Sequence, residues 1–376
     1  MRRREFLRTA SGACGAALAG AALAAQAPVT KEKKLEAGET DNLRWHDIRD
    51  WGIEGKGWQE TERFYDRLPA KAKGKVRQPV WDLSRHSAGM CVRFETDATA
   101  LSARWTLLSG GLAMSHMPAS GVSGLDLYAQ DDRGRWRWLG VGRPETAPRA
   151  QAQLIADLPA GRRAFMLYLP LYNGVESVEI GLDPNAAVKP LPPRTAKPMV
   201  FYGTSIVQGG CASRPGMAYT AILGRRLDRA VINLGFSGSG PMDLEVAELM
   251  AELDPCVYVI DAVPNMSLPQ VAERTEPFVR ALRKGRATTP IVLVEDRTWT
   301  NAALVPAHRQ HHAAMRAALK AACGRLVAAG VPALHIAPGE PLLGDDGEAT
   351  VDGSHPTDLG FARMADALEP FLRSLV

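Results

Sequence analysis

The run Met199-Val200-Phe201-Tyr202-Gly203-Thr204-Ser205-Ile206 decides the fold. Its first four residues are apolar without alternation, which suits a strand covered on both faces, and Gly203 marks a turn after it. Comparable apolar blocks recur at 230–234, 257–260, 291–294 and 333–336, separated by helix-length segments at 217–227, 244–253, 270–283 and 302–329, with 357–375 closing the chain. Five strands alternating with helices predict a three-layer α/β/α domain with a parallel sheet over 199–376. In that architecture ligands gather beyond the carboxyl ends of the strands, so the residues just after each block are the ones to read for chemistry.

Toward the N-terminus, 184–198 holds Pro184, Pro190, Pro192, Pro193 and Pro198. Proline fixes φ and removes a backbone donor, so a semi-rigid linker with neither ladder nor helix is expected there. Before it, 43–183 carries short period-two runs, among them Met90-Cys91-Val92-Arg93-Phe94, Leu101-Ser102-Ala103-Arg104-Trp105 and Leu125-Asp126-Leu127-Tyr128-Ala129, with others at 164–169 and 175–182. Alternation broken by Gly, Asp and Pro clusters predicts antiparallel strands, hence an all-β sandwich or jelly roll preceding the α/β domain.

Arg3-Arg4-Glu5-Phe6-Leu7-Arg8, followed by a weakly apolar Ala/Gly-rich run over 10–27, fits a twin-arginine signal peptide across 1–27. Small-residue cleavage sites stand at Ala22-Leu23-Ala24 and Ala25-Gln26-Ala27, the first preferred because Pro28 follows the second, and 28–42 reads as a charged, extended leader. These features predict a periplasmic or secreted protein without a stable membrane anchor, because Ala and Gly drive insertion weakly and no second apolar span follows. Apolar residues make up 46% of the chain and charged residues 23%, which excludes wholesale disorder. Arg2, Arg3, Arg4 and Arg8 against Glu5 carry +3 of the formal +4, leaving +1, so the footprint of a nucleic-acid binder is missing. Beyond Cys14, the residues Cys91, Cys211, Cys256 and Cys323 are widely separated and include no Cys-x-x-Cys, so they read as scattered buried thiols.

The strand ends carry the chemistry. Ser205 follows a strand and a glycine turn, either as a nucleophile at the top of the sheet or as a cap for the next turn. Asn233-Leu234-Gly235-Phe236-Ser237-Gly238-Ser239-Gly240 allows backbone N–H groups to approach a substrate oxygen, or is a plain turn. It lacks the dinucleotide and P-loop patterns, and no cofactor is called for. Asn265 after the third strand offers a side-chain donor, or an Asx turn beside Pro264. Asp352-Gly353-Ser354-His355-Pro356 places a carboxylate three residues ahead of a histidine, which can orient the ring and free its far nitrogen as general base. Pro356 suits the first position of the closing helix. A nucleophile, a backbone donor, a side-chain donor and an Asp–His pair are together what acyl transfer requires.

On these residues, 199–376 resembles the SGNH hydrolases, also called GDSL esterases, whose domain is flavodoxin-like. Ser205 in Gly-Thr-Ser lines up with the family's nucleophile, Gly238 with its second-block glycine, Asn265 with its third-block asparagine, and Asp352-Gly-Ser-His355-Pro with its Asp-x-x-His-Pro. Gly124-Leu125-Asp126-Leu127-Tyr128, and Gln208 to Gly216 after the nucleophile, are similar to the branch with a Gly-x-Asp-Leu-Tyr β-domain. The resemblance implies a serine esterase without metal or cofactor. Ser205 attacks an ester carbonyl, His355 takes and returns the proton, Asp352 holds His355, and the N–H groups of Ser205 and Gly238 with the Asn265 side chain form the oxyanion hole. The family's usual Gly-Asp-Ser reads Gly-Thr-Ser here, a departure that touches fine positioning.

The competing readings are weaker. An α/β-hydrolase needs Gly-x-Ser-x-Gly, and Val207 stands where its second glycine belongs. His308, His311 and His312 are spaced for one helix face, but no acidic ligand neighbours them in sequence. A non-enzymatic carbohydrate-binding or adhesion protein is the alternative from another class, with Trp136 and Trp138 as sugar platforms, although core packing is the commoner fate of such a pair. For an esterase, the expected substrate is a small-molecule or glycan ester, acetyl on a carbohydrate first and short-chain lipid or aryl esters second. The loop 110–124 leads into the signature strand, and its reach over Ser205 would give His116 or Met117 a part in the acyl pocket. Nothing in the sequence speaks to oligomeric state.

Overall fold

Ten strands of the N-terminal half form two antiparallel sheets: β1 (Arg44–Asp47), β2 (Ile53–Glu54), β3 (Cys91–Thr96), β4 (Leu101–Leu107), β5 (Leu125–Gln130), β6 (Trp136–Gly142), β7 (Arg149–Ile155), β8 (Arg163–Tyr168), β9 (Val175–Leu182) and β10 (Val188–Pro190). One sheet runs β1-β9-β4-β7 and the other β10-β3-β8-β5-β6, with β2 also on β3. Trp105, Val178 and Ile180 from the first meet Phe94, Phe165 and Leu167 from the second in a shared core. This is the sandwich that alternation predicts. The computed structural model describes residues 42–376, so the signal peptide, Cys14 and the charged leader up to residue 41 lie outside the described residues. Among the described residues, no helix is long and apolar enough to cross a membrane.

Two segments depart from the sequence reading. The proline-rich stretch is not a free linker: Val188, Lys189 and Pro190 pair with Thr96, Glu95 and Phe94 as an edge strand, a position where proline's missing donor can face outward. Arg194 then pairs with buried Glu54, its Nε 3.0 Å from Oε2. The second departure is 58–84, read as part of the sandwich. It holds the short helix α1 (Gln78–Leu83), and its Leu68, Ala72, Val76, Val80 and Trp81 join the core of the parallel sheet instead.

That sheet contains β11 (Met199–Gly203), β12 (Val231–Gly235), β13 (Val257–Asp261), β14 (Ile291–Val294) and β15 (Leu334–Ala337), all parallel, in the order β12-β11-β13-β14-β15. The helices are α2 (Ala119–Val122), just before β5, then α3 (Ser205–Gln208), α4 (Tyr219–Arg226), α5 (Leu244–Met250), α6 (Leu268–Gly285), α7 (Pro306–Ala328) and α8 (Asp358–Arg373). Met199 and Phe201 of β11 face α4 and α8, while Val200 and Tyr202 face α5, α6 and α7. Both faces are covered, which is why these strands are apolar without alternation. The order is flavodoxin-like, and its switch point falls between β11 and β13, whose ends lead into Ser205 and Asn265. The described residues belong to one compact unit. The sandwich's second sheet presents Tyr128, Met166 and Tyr168 to the α4–α8 side, so β5 is buried on both faces.

Candidate active site

Ser205 opens α3. Thr204 caps that helix, its Oγ1 accepting from the Ile206 N–H at 3.2 Å, and so fills the place of the family's aspartate with another capping residue. As the first helical residue, Ser205 has an N–H with no partner inside the turn. Its carbonyl is held by the N–H of Gly210 at 2.7 Å and the Tyr172 hydroxyl at 3.1 Å. Ser205 is only 6% exposed, so its hydroxyl direction is set by packing.

The last loop brings the imidazole to it. Ser205 Oγ lies 2.8 Å from His355 Nε2, and His355 Nδ1 lies 2.7 Å from Asp352 Oδ2. Asp352 Oδ1 also accepts from the N–H groups of Ser354 at 3.0 Å and His355 at 2.8 Å. Burial raises the Asp352 carboxyl, but these bonds and the His355 ring outweigh it and hold it down at about 2. An ionised carboxylate only accepts, so Nδ1 carries the ring proton and Nε2 is left to accept from the Ser205 hydroxyl. Gly353 makes the turn possible with φ +92°, where a side chain is strained. The loop is pinned at both ends, Thr350 pairing with Pro356 and the Thr357 N–H donating to Ala349. Pro356 precedes the helix rather than opening it: Thr357 caps α8, because its hydroxyl can accept from Gly360 where proline has nothing to offer.

Arg297, a residue the motif reading passed over, supports this loop from below. It is 2% exposed, and its Nε and Nη2 donate to the carbonyl and hydroxyl of Ser354 at 3.1 and 3.0 Å. Asp296 stands 4.0 Å from its Nη1. Burial lowers the Arg297 guanidinium, with Asp261 and Asp296 opposing. Burial likewise pushes the Asp261 carboxyl up to about 6 against the pull of Arg297 and of Tyr219, whose hydroxyl donates to it at 3.1 Å. In sequence Arg297 is one arginine after an apolar block, with no spacing to single it out.

Gly238 and Asn265, the expected donors, lie just after β12 and β13. Gly238 has φ +64°, and a Cβ there would meet nothing within 4 Å, so the glycine serves the left-handed turn rather than close packing. The neighbouring Ser237 N–H is held by Gln208 Oε1 at 3.0 Å, while Gln208 Nε2 donates to the Leu171 carbonyl at 3.0 Å and His86 Nδ1 at 2.9 Å. Burial and nearby Arg67 push His86 down to about 3, so it stays neutral and accepts. Arg67, buried, donates from Nη1 to the carbonyls of Asn233 at 3.0 Å and Gly235 at 2.7 Å. Asn265 lies in a short 3-10 turn, and its Oδ1 accepts from the Gly240 N–H at 3.3 Å, which leaves Nδ2 uncommitted in this contact.

The β half supplies three further features. The loop 110–124 reaches the site: the His116 and His355 rings meet edge to face, 5.9 Å between centroids. Met117 is buried in the core beneath. The Gly124-Leu-Asp-Leu-Tyr128 signature resolves by period two. Leu125 and Leu127 enter the sandwich core, while Asp126 accepts from Arg214 Nη1 at 2.9 Å and the Gly216 N–H at 2.7 Å, and the Tyr128 hydroxyl also accepts from Arg214. The signature thus clamps the segment that follows α3. Trp138 is 49% exposed rather than core, and Trp136 is partly buried. The histidines of α7 also differ from expectation. Asp296 lies 2.6 Å from His312 Nδ1, and Asp296, His311 and His312 bring donor atoms within 4.8 Å of one another. His312 Nε2 already accepts from the Trp299 N–H at 3.3 Å, so the ring is engaged at both nitrogens and braces the Arg297 strand end. Cys91, Cys211, Cys256 and Cys323 are free.

A flavodoxin-like sheet with hydroxyl, imidazole and carboxylate in line beyond its carboxyl edge defines the class of small-domain ester hydrolases. Residues 196–373 match the GDSL-like Lipase/Acylhydrolase family, and residues 43–188 match the N-terminus of the Esterase SGNH hydro-type. A solved GDSL-like lipase from Bacteroides ovatus is 32% identical, with a TM-score of 0.84 over 89% of this chain and 98% of that one. Two more distant structures share the fold. A salicylyl-acyltransferase from a tetracycline biosynthetic pathway is 19% identical with a TM-score of 0.71, and a family two carbohydrate esterase from Cellvibrio japonicus is 14% identical with a TM-score of 0.58. Each aligns over 89% of this chain and 98% of its own. No curated protein matches by sequence. The chain belongs to the GDSL-like lipase/acylhydrolase family and is an SGNH-type ester hydrolase.

Proposed function

We propose that this hydrolase is an exported serine esterase that removes small acyl groups, principally acetyl, from a carbohydrate. The observation that carries the reading is the unbroken line from Ser205 Oγ through His355 to Asp352, with steps of 2.8 and 2.7 Å. Ser205 Oγ attacks the ester carbonyl carbon while its proton passes to His355 Nε2, and Asp352 stabilises the imidazolium. The N–H groups of Ser205 and Gly238 and the Asn265 amide receive the negative oxygen. As the intermediate collapses, the ester C–O bond breaks and the leaving alkoxide takes the proton from His355. Water then repeats the sequence on the acyl-serine, releasing the acid and restoring the hydroxyl.

The carbohydrate class rests on the twin-arginine pattern, the β-sandwich companion, and the fold shared with family two carbohydrate esterases, one of them solved with cellohexaose. Fluorophosphonate labelling, blocked by Ser205→Ala, tests the nucleophile. Ser205→Ala is expected to fold and to lose a factor on the order of 10⁴ or more in turnover. Acetate release from a panel of acetylated polysaccharides, set against fatty-acyl and aryl esters, tests the substrate. Full activity of Ser205→Ala would overturn the mechanism, and a preference for fatty-acyl esters the substrate.

A further inference from the structure

A cavity of ≈ 850 Å³ opens between the β5–β6 edge of the sandwich and the α4–α8 face of the α/β half. Neither Ser205, Asp352 nor His355 lines it; Arg135, Trp136, Arg137, Arg214, Arg225 and Arg226 do. The pairing of these arginines is uneven. Arg135 and Arg137 share one carboxylate, that of Asp131, each at 3.0 Å. Arg214 has Asp126 at 2.9 Å, and Arg226 has Asp366 at 2.7 Å and Glu369 at 3.1 Å. Among the described residues, Arg225 has no carboxylate within ion-pair distance. Its Nη2 donates to the Gly216 carbonyl at 2.8 Å, and its guanidinium lies over the Tyr128 and Tyr168 rings at 4.1 and 5.4 Å. The rings and Gly216 orient that guanidinium without neutralising it.

A guanidinium is planar and presents paired donors that fit a carboxylate or sulfate two bonds at a time. A space of this size accommodates one or two sugar rings, being within the range of about 300–1,000 Å³ usual for ligand sites. Trp136 supplies an apolar surface at the wall, where a sugar face can lie while its charged group meets the arginines.

We propose that this cavity is a second binding site, taking the oxyanion of an acidic sugar and so holding a charged polysaccharide on the enzyme at a point outside the triad. The inference rests on the reading of the substrate as a glycan, and it extends that reading to acidic glycans. Carboxylate and sulfate share the required chemistry; a uronate is the form the experiment takes first.

The test is calorimetric binding to the full chain in the Ser205→Ala background, so that turnover plays no part. Tetragalacturonate, a sulfated tetrasaccharide, neutral cellotetraose and inorganic phosphate are the probes. Tetragalacturonate is expected to bind at low ionic strength and to weaken as salt screens the arginines. Arg225→Gln is expected to lose about ten-fold or more in affinity, consistent with losing one charge-assisted pair. Arg135→Gln with Arg137→Gln, at positions half exposed and outside the folding core, is expected to do the same and guards against a folding failure of the first variant. In the Ser205 background these arginine variants are expected to keep wild-type turnover of a small acetyl ester, so loss of binding and loss of the esterase reading are separate results. Tighter binding of the sulfated tetrasaccharide, with the same variant losses, keeps the site and assigns it to sulfate. Equal affinity for cellotetraose, equal affinity for phosphate alone, or wild-type binding by the arginine variants would each overturn the proposal.

Discussion

Arg297→Lys separates the positioning of the His355 loop from the charge beneath it. The guanidinium makes two hydrogen bonds to Ser354, the residue immediately before His355, at 3.1 and 3.0 Å. A lysine keeps the positive charge near Asp296 and Asp261, but its single ammonium cannot reproduce a fork that reaches a carbonyl and a hydroxyl together. One bond from a charged donor contributes about 1.5–3 kcal/mol, so the variant is expected to lose about 2 kcal/mol of stability and remain folded. The larger effect falls on geometry. A shift of about 1 Å in a reacting group costs on the order of 10²-fold, so kcat on p-nitrophenyl acetate is expected to fall about 10- to 100-fold with KM nearly unchanged. Arg297→Gln adds the loss of charge facing two buried carboxylates, about 3–5 kcal/mol, and is expected to melt far earlier. Steady-state kinetics and urea melts on both variants decide the matter. A folded Arg297→Lys enzyme with wild-type kcat would refute Arg297 as a positioning residue.

Asn265→Ala is expected to lower kcat by about 10² to 10³ through loss of one oxyanion donor, while fluorophosphonate still labels Ser205; an unchanged kcat removes Asn265 from the hole. His116→Ala is expected to keep acetyl-ester turnover within about ten-fold and to raise the butyryl-to-acetyl ratio of kcat/KM, because a ring 5.9 Å from His355 is withdrawn; a constant ratio counts against His116 as a wall of the acyl site. Asp261→Asn reads out in stability against pH. The folded protein holds the Asp261 proton up to about pH 6, above the unfolded value of about 4, so this group stabilises the fold most below pH 4. Its contribution is lost as pH rises through 6, a swing of roughly 3 kcal/mol. Urea melts from pH 4 to 7 should lose that slope in the variant, and an identical slope in both proteins would assign it elsewhere.

Strand ends were legible because period and placement agree. Each apolar block from Met199 onward is a strand of the parallel sheet, and Ser205, Gly238 and Asn265 come just after β11, β12 and β13, whereas Asp352 and His355 lie well beyond β15, past a 3-10 turn at Glu340–Leu342 and immediately before α8. The reading failed where local pattern is weak and a distant partner decides. Leu68, Ala72, Val76 and Val80 are spaced by four, a helical interval, but Gly74 and Pro79 interrupt the segment, and only the parallel sheet gives those residues a surface to cover. Val188–Pro190 became a strand because β3 offered an open edge, which no propensity records. Arg297 and Arg67 carry no motif, since a single arginine acquires meaning from the carbonyls that surround it.

Those carbonyls join the two halves at the site, and the fragment 196–376 tests the consequence. Arg67, from the N-terminal half, bonds the Asn233 and Gly235 carbonyls just before the loop that carries Gly238. His86 and the Leu171 carbonyl hold the Gln208 amide that in turn holds Ser237, and Tyr172 bonds the Ser205 carbonyl. Removing residues before 196 strips four of these anchors at once and uncovers the apolar face that Leu68, Ala72, Val76, Val80 and Trp81 protect. At about 1.5–3 kcal/mol for each large buried apolar side chain, the four larger ones, Leu68, Val76, Val80 and Trp81, already exceed a typical margin of about 5–15 kcal/mol at its lower end. The fragment is therefore expected to be recovered aggregated or, where soluble, without esterase activity. A soluble 196–376 fragment with full turnover of an acetyl ester would mean that the parallel sheet orders its own donor loop, and that the β half serves only recognition.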